Sequence, residues 1–270
     1  MFLNNQGMPT ATIDGASVYF RDKGKGLPVV LLHGFPFSHR MWDAQVDSLA
    51  VNYRVIAPDF RGFGLSTNPG GAFTIEALAE DVHGLAKELK LGAFVFGGLS
   101  MGGYVALAYA AKFPETLRGL MLFDTKAEAD TAEGKQGRDK MIDVARRQGA
   151  RPIATAMMAK LIPAASAEGR PQLVRDLRQM MEATNPETIA HALTAMRDRP
   201  DRTGDLSKIE APTLIVVGEE DAITPPEVMA VLHEQIPRTT MRTIPSSGHM
   251  TPMEQPQLVT HAIEGFLGTI

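Results

Sequence analysis

The sequence predicts an α/β fold, a mostly parallel central sheet covered by helices on both faces, with a helical insertion near its middle. Three observations predict it. Short, mainly apolar runs recur at Pro28-Val29-Val30-Leu31-Leu32, Arg54-Val55-Ile56-Ala57, Ala93-Phe94-Val95-Phe96, Leu120-Met121-Leu122-Phe123 and Pro212 to Val217. Strands buried on both faces read this way, without polar alternation. Between the first four runs lie helix-forming stretches, and regular strand–helix alternation is the pattern of a parallel sheet with crossover helices. After Asp124 the rhythm stops, and the next seventy or so residues contain no convincing strand.

The chain opens on Ala11 to Phe20, read as a two-stranded hairpin around Asp14-Gly15, a dipeptide suited to a tight turn with positive φ. The strand at residues 28–32 ends in His33-Gly34-Phe35-Pro36. Ser38 is placed to cap the next helix, whose Trp42, Val46 and Leu49 share one face. The strand at 54–57 leads into Asp59-Phe60-Arg61-Gly62-Phe63-Gly64-Leu65-Ser66, where Asp59 and Arg61 are read as holding a turn together. A helix follows over about 74–90, with Ile75, Leu78, Val82, Leu85 and Leu89 as its apolar stripe. Thr74 suits its N-cap, and Phe73 and Leu78 stand at staple positions.

The polar segment 126–137 begins the insertion, and helices are predicted near 138–148, 152–161, 171–181 and 186–197. Pro152, Pro171 and Pro186 open three of them, where the missing N–H costs least. The boundaries are a core of residues 1–125 and 204–270 and a helical cap of 126–203. The sheet resumes at 212–218, a helix opens after Pro225-Pro226, and a last strand is predicted near 240–244. The terminal helix, about 255–267, directs Leu258, Ile263 and Phe266 toward the core.

Composition narrows the function classes. Apolar residues make up 44% and charged residues 21%, ordinary values for a globular domain. The formal net charge is −4 with Lys and Arg scattered, so a nucleic-acid footprint is lacking. No stretch reaches the apolar length of a membrane span, and residues 1–7 lack the pattern of a secretion signal, so cytoplasmic residence is the expectation. With no cysteine, disulfides and thiol catalysis are excluded. His39, His83, His191, His233 and His261 show no metal-ligand spacing, and nothing implies a metal or organic cofactor. Oligomeric state is not legible.

One stretch carries chemistry. Gly98-Leu99-Ser100-Met101-Gly102 sits between an apolar strand and a helix of small residues. This is the G-x-S-x-G spacing of a strand-to-helix turn with serine at its apex, and the glycines relieve contacts that a Cβ would make. A glycine-rich surface turn with an ordinary serine is the competing reading, and the flanking strand and helix argue against it. A serine hydroxyl needs a neighbouring base, and the base needs an acceptor to fix its tautomer. Asp221 and His249 each lie just past a strand, in the order Ser…Asp…His known for a triad on a parallel sheet.

Together these motifs resemble the α/β-hydrolase family, in its compact bacterial branch with a helical cap. The resemblance covers nearly the whole chain outside the cap. It rests on His33-Gly34-Phe35-Pro36, Asp59-x-Arg61-Gly62-x-Gly64-x-Ser66, Gly98 to Gly103, Gly218-x-x-Asp221-x-x-x-Pro225 and Gly248-His249. It implies that Ser100 is the nucleophile, His249 the base and acid, and Asp221 the orienting carboxylate. It implies an oxyanion hole of the Phe35 and Met101 backbone N–H groups. Some members carry their acid at the position of Asp124, which is therefore the alternative to Asp221. His33 is read as structural, and Glu219 and Glu220 as solvated loop charges. The methionines Met141, Met157, Met158, Met180, Met181 and Met196 are assigned mainly to the interior of the cap, with a share lining the site.

Serine at the nucleophile position argues against haloalkane dehalogenases and epoxide hydrolases, relatives with aspartate there. The expected activity is hydrolysis of a small to medium carboxylic ester or lactone, the run Gly98 to Gly103 being similar to that of enol-lactone hydrolases and carboxylesterases. Cofactor-free perhydrolases and C–C bond hydrolases share the triad and stand as alternatives. In another class, a small-molecule receptor with a hydrolase-like pocket and little turnover is also consistent with the motifs.

Overall fold

The computed structural model describes residues 9–270; the N-terminal segment read above for a secretion signal lies outside the described residues. The hairpin is formed by β1 (Thr10–Ile13) and β2 (Ala16–Lys23). Asp14 and Gly15 between them have φ of 45° and 76°, as a type I′ turn requires. Then come β3 (Pro28–Leu32), a 3₁₀ turn (His39–Trp42) with α1 (Asp43–Leu49), β4 (Arg54–Pro58), α2 (Ile75–Glu88), β5 (Phe94–Leu99), α3 (Met101–Lys112) and β6 (Leu117–Phe123). Five helices separate β6 from the next strand: α4 (Ala132–Gln148), α5 (Ala150–Leu161), α6 (Ala164–Gly169), α7 (Pro171–Ala183) and α8 (Pro186–Asp198). The chain closes with β7 (Thr213–Gly218), α9 (Pro226–Gln235), β8 (Thr239–Ile244), α10 (Thr251–Glu254) and α11 (Pro256–Leu267).

The strands form one 8-stranded sheet in the order β1-β2-β4-β3-β5-β6-β7-β8. The β1–β2 and β2–β4 pairs are antiparallel and every later pair is parallel. The apolar runs feed two cores at once, because successive side chains point to opposite faces. Val30, Leu32, Phe94, Phe96, Leu120 and Leu122 join one core, with Leu78, Val82 and Leu85 of α2. Val29, Leu31, Val95, Met121 and Phe123 join the other, with Trp42, Val46, Val259 and Ile263 of the opposite layer.

Several boundaries differ from the sequence expectation. Thr74 caps α2 through Ala77 N–H at 3.0 Å, but the Ser38 side chain caps nothing and the chain enters α1 through a 3₁₀ turn. Helix α4 begins at Ala132, inside the polar segment 126–137 and ahead of the expected start near 138, because Thr131 accepts from Gly134 N–H at 3.1 Å. Its first turns are exposed all round, so no apolar stripe announces them. The short α6 and α10 leave no periodicity to read. On α11, Leu258 is 44% exposed and Val259 is buried, with Ile263 and Phe266 four and seven residues on. The inward stripe is thus the one starting at Val259, and the Leu258 assignment was wrong by one residue.

Candidate active site

The strand ends supply the site. Ser100 follows β5, Asp124 follows β6, Asp221 lies three residues past β7 and His249 lies beyond β8, all at the carboxyl edge of the parallel strands. Crevices at this edge are where open α/β sheets bind their ligands.

Ser100 has φ 52° and ψ −112°, outside the regions that L-residues favour. Such a conformation costs about 1–3 kcal/mol and persists where its surroundings over-determine it. Here Ser100 N–H donates to Phe123 O at 2.9 Å and Ser100 O accepts from Thr125 Oγ1 at 2.8 Å. The flanking glycines are required by contact. A Cβ on Gly98 would lie 2.1 Å from Gly102 O, and one on Gly102 would lie 2.7 Å from Leu32 O. Gly34 meets the same turn, since its Cβ would stand 3.6 Å from that of Ser100.

Two backbone donors beside this turn have no acceptor among the described residues: Met101 N–H, the first of α3, and Phe35 N–H, in the loop against it. Both residues are buried. Backbone N–H groups of buried residues are nearly always paired, so two open donors beside one turn are unusual.

His249 and Asp221 are joined. His249 Nδ1 donates to Asp221 Oδ2 at 2.8 Å, and both side chains are almost fully buried. Asp221 Oδ1 accepts from the N–H groups of Ile223 and Thr224, and Oδ2 also accepts from Thr224 Oγ1 at 2.7 Å. Burial disfavours the charge of Asp221, but His249 and these bonds outweigh it and hold the carboxyl down to about 2. Because an ionised carboxylate can only accept, Nδ1 carries the imidazole proton and Nε2 is left to accept another. The Ser100 hydroxyl itself makes no hydrogen bond to His249 or to any other described residue.

Asp124 is fully buried and committed elsewhere. Its Oδ1 accepts from Gly218 N–H at 2.9 Å and its Oδ2 from the Thr251 hydroxyl, so it ties the Asp221 loop to the His249 loop. Burial and the nearby Asp221 raise its pKa well above the ordinary value. His33 is buried, with Nδ1 donating to Gly34 O and Nε2 accepting from Phe60 N–H, and burial lowers its pKa to about 4. Asp59 gathers His39 N–H, His39 Nδ1 and Leu65 N–H, whereas Arg61 pairs with Asp81 of α2.

Thr224, Thr251 and Glu254 had no place in the sequence reading, yet Thr224 bonds to Asp221, Glu254 to the backbone beside His249, and Thr251 to Asp124. Their one sequence signal is position, a few residues after a predicted site residue. Of the insertion's methionines, Met180, Met181 and Met196 are buried, and Met180 borders a cleft of about 310 Å³ with Met41 and Met253 that Ser100, Asp221 and His249 do not line. No three acidic or histidine side chains are grouped to hold a metal ion among the described residues, and no described helix is long and apolar enough to cross a membrane.

With fold and geometry in place, the chain belongs to the alpha/beta hydrolase fold family, whose profile matches residues 28–256. Its structure is similar to that of a thermophilic esterase from Thermogutta terrifontis, 43% identical, with a TM-score of 0.93 over 97% of each chain. It is also similar to an enol-lactonase from Burkholderia xenovorans LB400, 28% identical, with a TM-score of 0.90 over 96% of this chain and 100% of the other. In sequence it is 30% identical to 3-oxoadipate enol-lactonase 2 of Acinetobacter baylyi, covering 84% of this chain and 83% of that protein.

Proposed function

We propose that this protein is a serine hydrolase cleaving small to medium carboxylic esters or lactones through an acyl-serine intermediate. In this reading, His249 Nε2 takes the Ser100 proton as Oγ attacks the substrate carbonyl carbon. The carbonyl electron pair moves onto oxygen, and the Phe35 and Met101 N–H groups hold that oxyanion. Collapse expels the alkoxide, protonated by His249, and leaves acyl-Ser100; in a lactone the alkoxide stays tethered. Water then repeats the sequence, with His249 taking its proton, and releases the acid and free serine. Asp221 stays ionised throughout, keeps Nδ1 protonated and steadies the imidazolium. The Ser100–His249 hydrogen bond closes with substrate bound, as such bonds commonly do. Residues 126–203 serve as the lid over a core of 1–125 and 204–270.

The support for the reading is the His249–Asp221 bond of 2.8 Å at the same strand-end edge as Ser100, whose backbone is strained and beside whose turn lie two N–H donors without an acceptor among the described residues. The esterase and enol-lactonase relatives support the substrate class. A chain-length series of p-nitrophenyl esters and several lactones, with and without hydrogen peroxide, measures it directly. Ser100→Ala is expected to lose about 10⁴-fold or more in kcat, with its melting temperature at or above wild type. Retained hydrolysis would sink the nucleophile assignment. Stoichiometric ligand binding without turnover in the wild type would favour a receptor instead.

A further inference from the structure

We propose that Glu254 is a positioning residue for His249, gripping the backbone on both sides of the imidazole-bearing residue. This rests on the reading of His249 as the base. Glu254 closes α10, is 2% exposed, and turns its side chain back along the helix. Its Oε1 accepts from Gly248 N–H at 2.8 Å, Met250 N–H at 3.3 Å and the Ser247 hydroxyl at 3.3 Å. The N–H between these two, that of His249 itself, donates to Leu161 O at the end of α5, 2.9 Å away. Three successive amides are therefore fixed, and the imidazole inherits their rigidity. Arg170 of the insertion donates to Glu254 O, so the grip is anchored from the helical side as well.

A solvated capping carboxylate would do less and would not be built this way. Glu254 is 2% exposed, and burial pushes its carboxyl pKa up even though Ser166 of the insertion also reaches it. Keeping such a group carries a desolvation cost that an exposed cap avoids. What the site gains is a single oxygen on which the Gly248 and Met250 N–H groups converge. Proton transfer from a serine hydroxyl tolerates little error in the base, and a misplacement of about 1 Å can cost about a hundredfold in rate.

The test uses the full chain, p-nitrophenyl acetate as substrate, and a thermal melt for each variant. Glu254→Gln retains a carbonyl oxygen in place of Oε1, and its kcat is expected within about threefold of wild type although the charge is gone. Glu254→Asp keeps the charge but withdraws it by one methylene, and its kcat is expected to fall about 10- to 100-fold with KM within about threefold. Wild-type kcat in a folded Glu254→Asp, or equal losses in Asp and Gln, would overturn the proposal. Amide hydrogen exchange on the wild type tests it whether or not the Asp variant folds. Gly248 and Met250 are expected among the protected amides, and free exchange at either overturns the grip. Ser100→Ala in the same assay separates the two claims. If it stays active, the reading of the site fails; if it is dead while Glu254→Asp equals wild type, only the positioning role fails.

Discussion

Asp124 and Asp221 end neighbouring strands, yet their carboxyl groups lie in opposite electrostatic regimes. Asp221 faces an imidazole and three hydrogen-bond donors beyond it, and its carboxyl is held down to about 2 from an ordinary 3.8. A depressed acid stabilises the fold above its unfolded pKa, and that contribution, about 2 kcal/mol, is lost as the pH falls through 4 toward 2. Asp124 is shifted upward, by burial first and by Asp221 next. A raised acid costs nothing below its unfolded pKa, and its destabilisation builds as the pH rises from there to the folded value and levels off above it. Asp124→Asn keeps an acceptor for Gly218 N–H and can donate to the Thr251 hydroxyl. It is therefore expected to melt at or above wild type near pH 8, with the difference vanishing toward pH 4. It is also expected to keep kcat within about tenfold, whereas Asp221→Asn should lose about 10³- to 10⁴-fold because the imidazole tautomer is no longer fixed. The opposite ranking in ester hydrolysis would transfer the acid to Asp124.

At the scale of elements, the site depends on loops pressed together where side chains are missing. Gly218 ends β7, and a Cβ there would lie 2.0 Å from Gly248 O and 2.5 Å from Ser247 O. The same contact brings the Asp221 loop against the His249 loop. Gly218→Ala must push those carbonyls away, and overpacking of this kind costs about 1–3 kcal/mol or more. Activity is expected to fall beyond the loss of stability, by about tenfold at least. Gly265→Ala on α11 supplies the control, since nothing lies within 4 Å of its Cβ. It should stabilise by about 0.5–1 kcal/mol through backbone entropy alone. Equal melting temperatures and equal activities for the two variants would refute the contact argument.

Across the whole molecule, the two ends of the helical insertion are stapled to each other. Arg202 N–H donates to Ala127 O at 3.0 Å, and Ala129 N–H to Asp201 Oδ2 at 3.1 Å. Arg199, 5% exposed, pairs with Asp130 at 2.7 Å, donates to Glu128 O at 2.6 Å and lies 4.0 Å from the ring centre of Tyr104 on α3. One guanidinium therefore links entry, exit and the helix behind Ser100. Removing one partner of a buried ion pair typically costs about 3–5 kcal/mol. Asp130 keeps Arg138 as a second partner, so Arg199→Met is expected near the lower end, about 3 kcal/mol. Limited proteolysis should then cut first at 126–131 or 199–203, and a variant as resistant as wild type would remove the staple from the account.

The sheet and the turn that carries Ser100 are legible in the amino acids without the fold. Runs such as Val29 to Leu32 and Phe94 to Phe96 must be buried on both faces, and Gly98 and Gly102 leave one geometry open to the residue between them. These are local constraints, so local reading recovers them. The motif after Asp221 already set it ahead of Asp124 in the sequence, but both end strands, and only the folded chain shows Asp221 bonded to His249 while Asp124 is bound by Gly218 and Thr251. Tertiary structure also decided the start of α4, the inward stripe of α11 and the partners Thr224, Thr251 and Glu254. Hydrogen bonds between loops leave no period in the sequence. They exist only once the strands have brought their ends together.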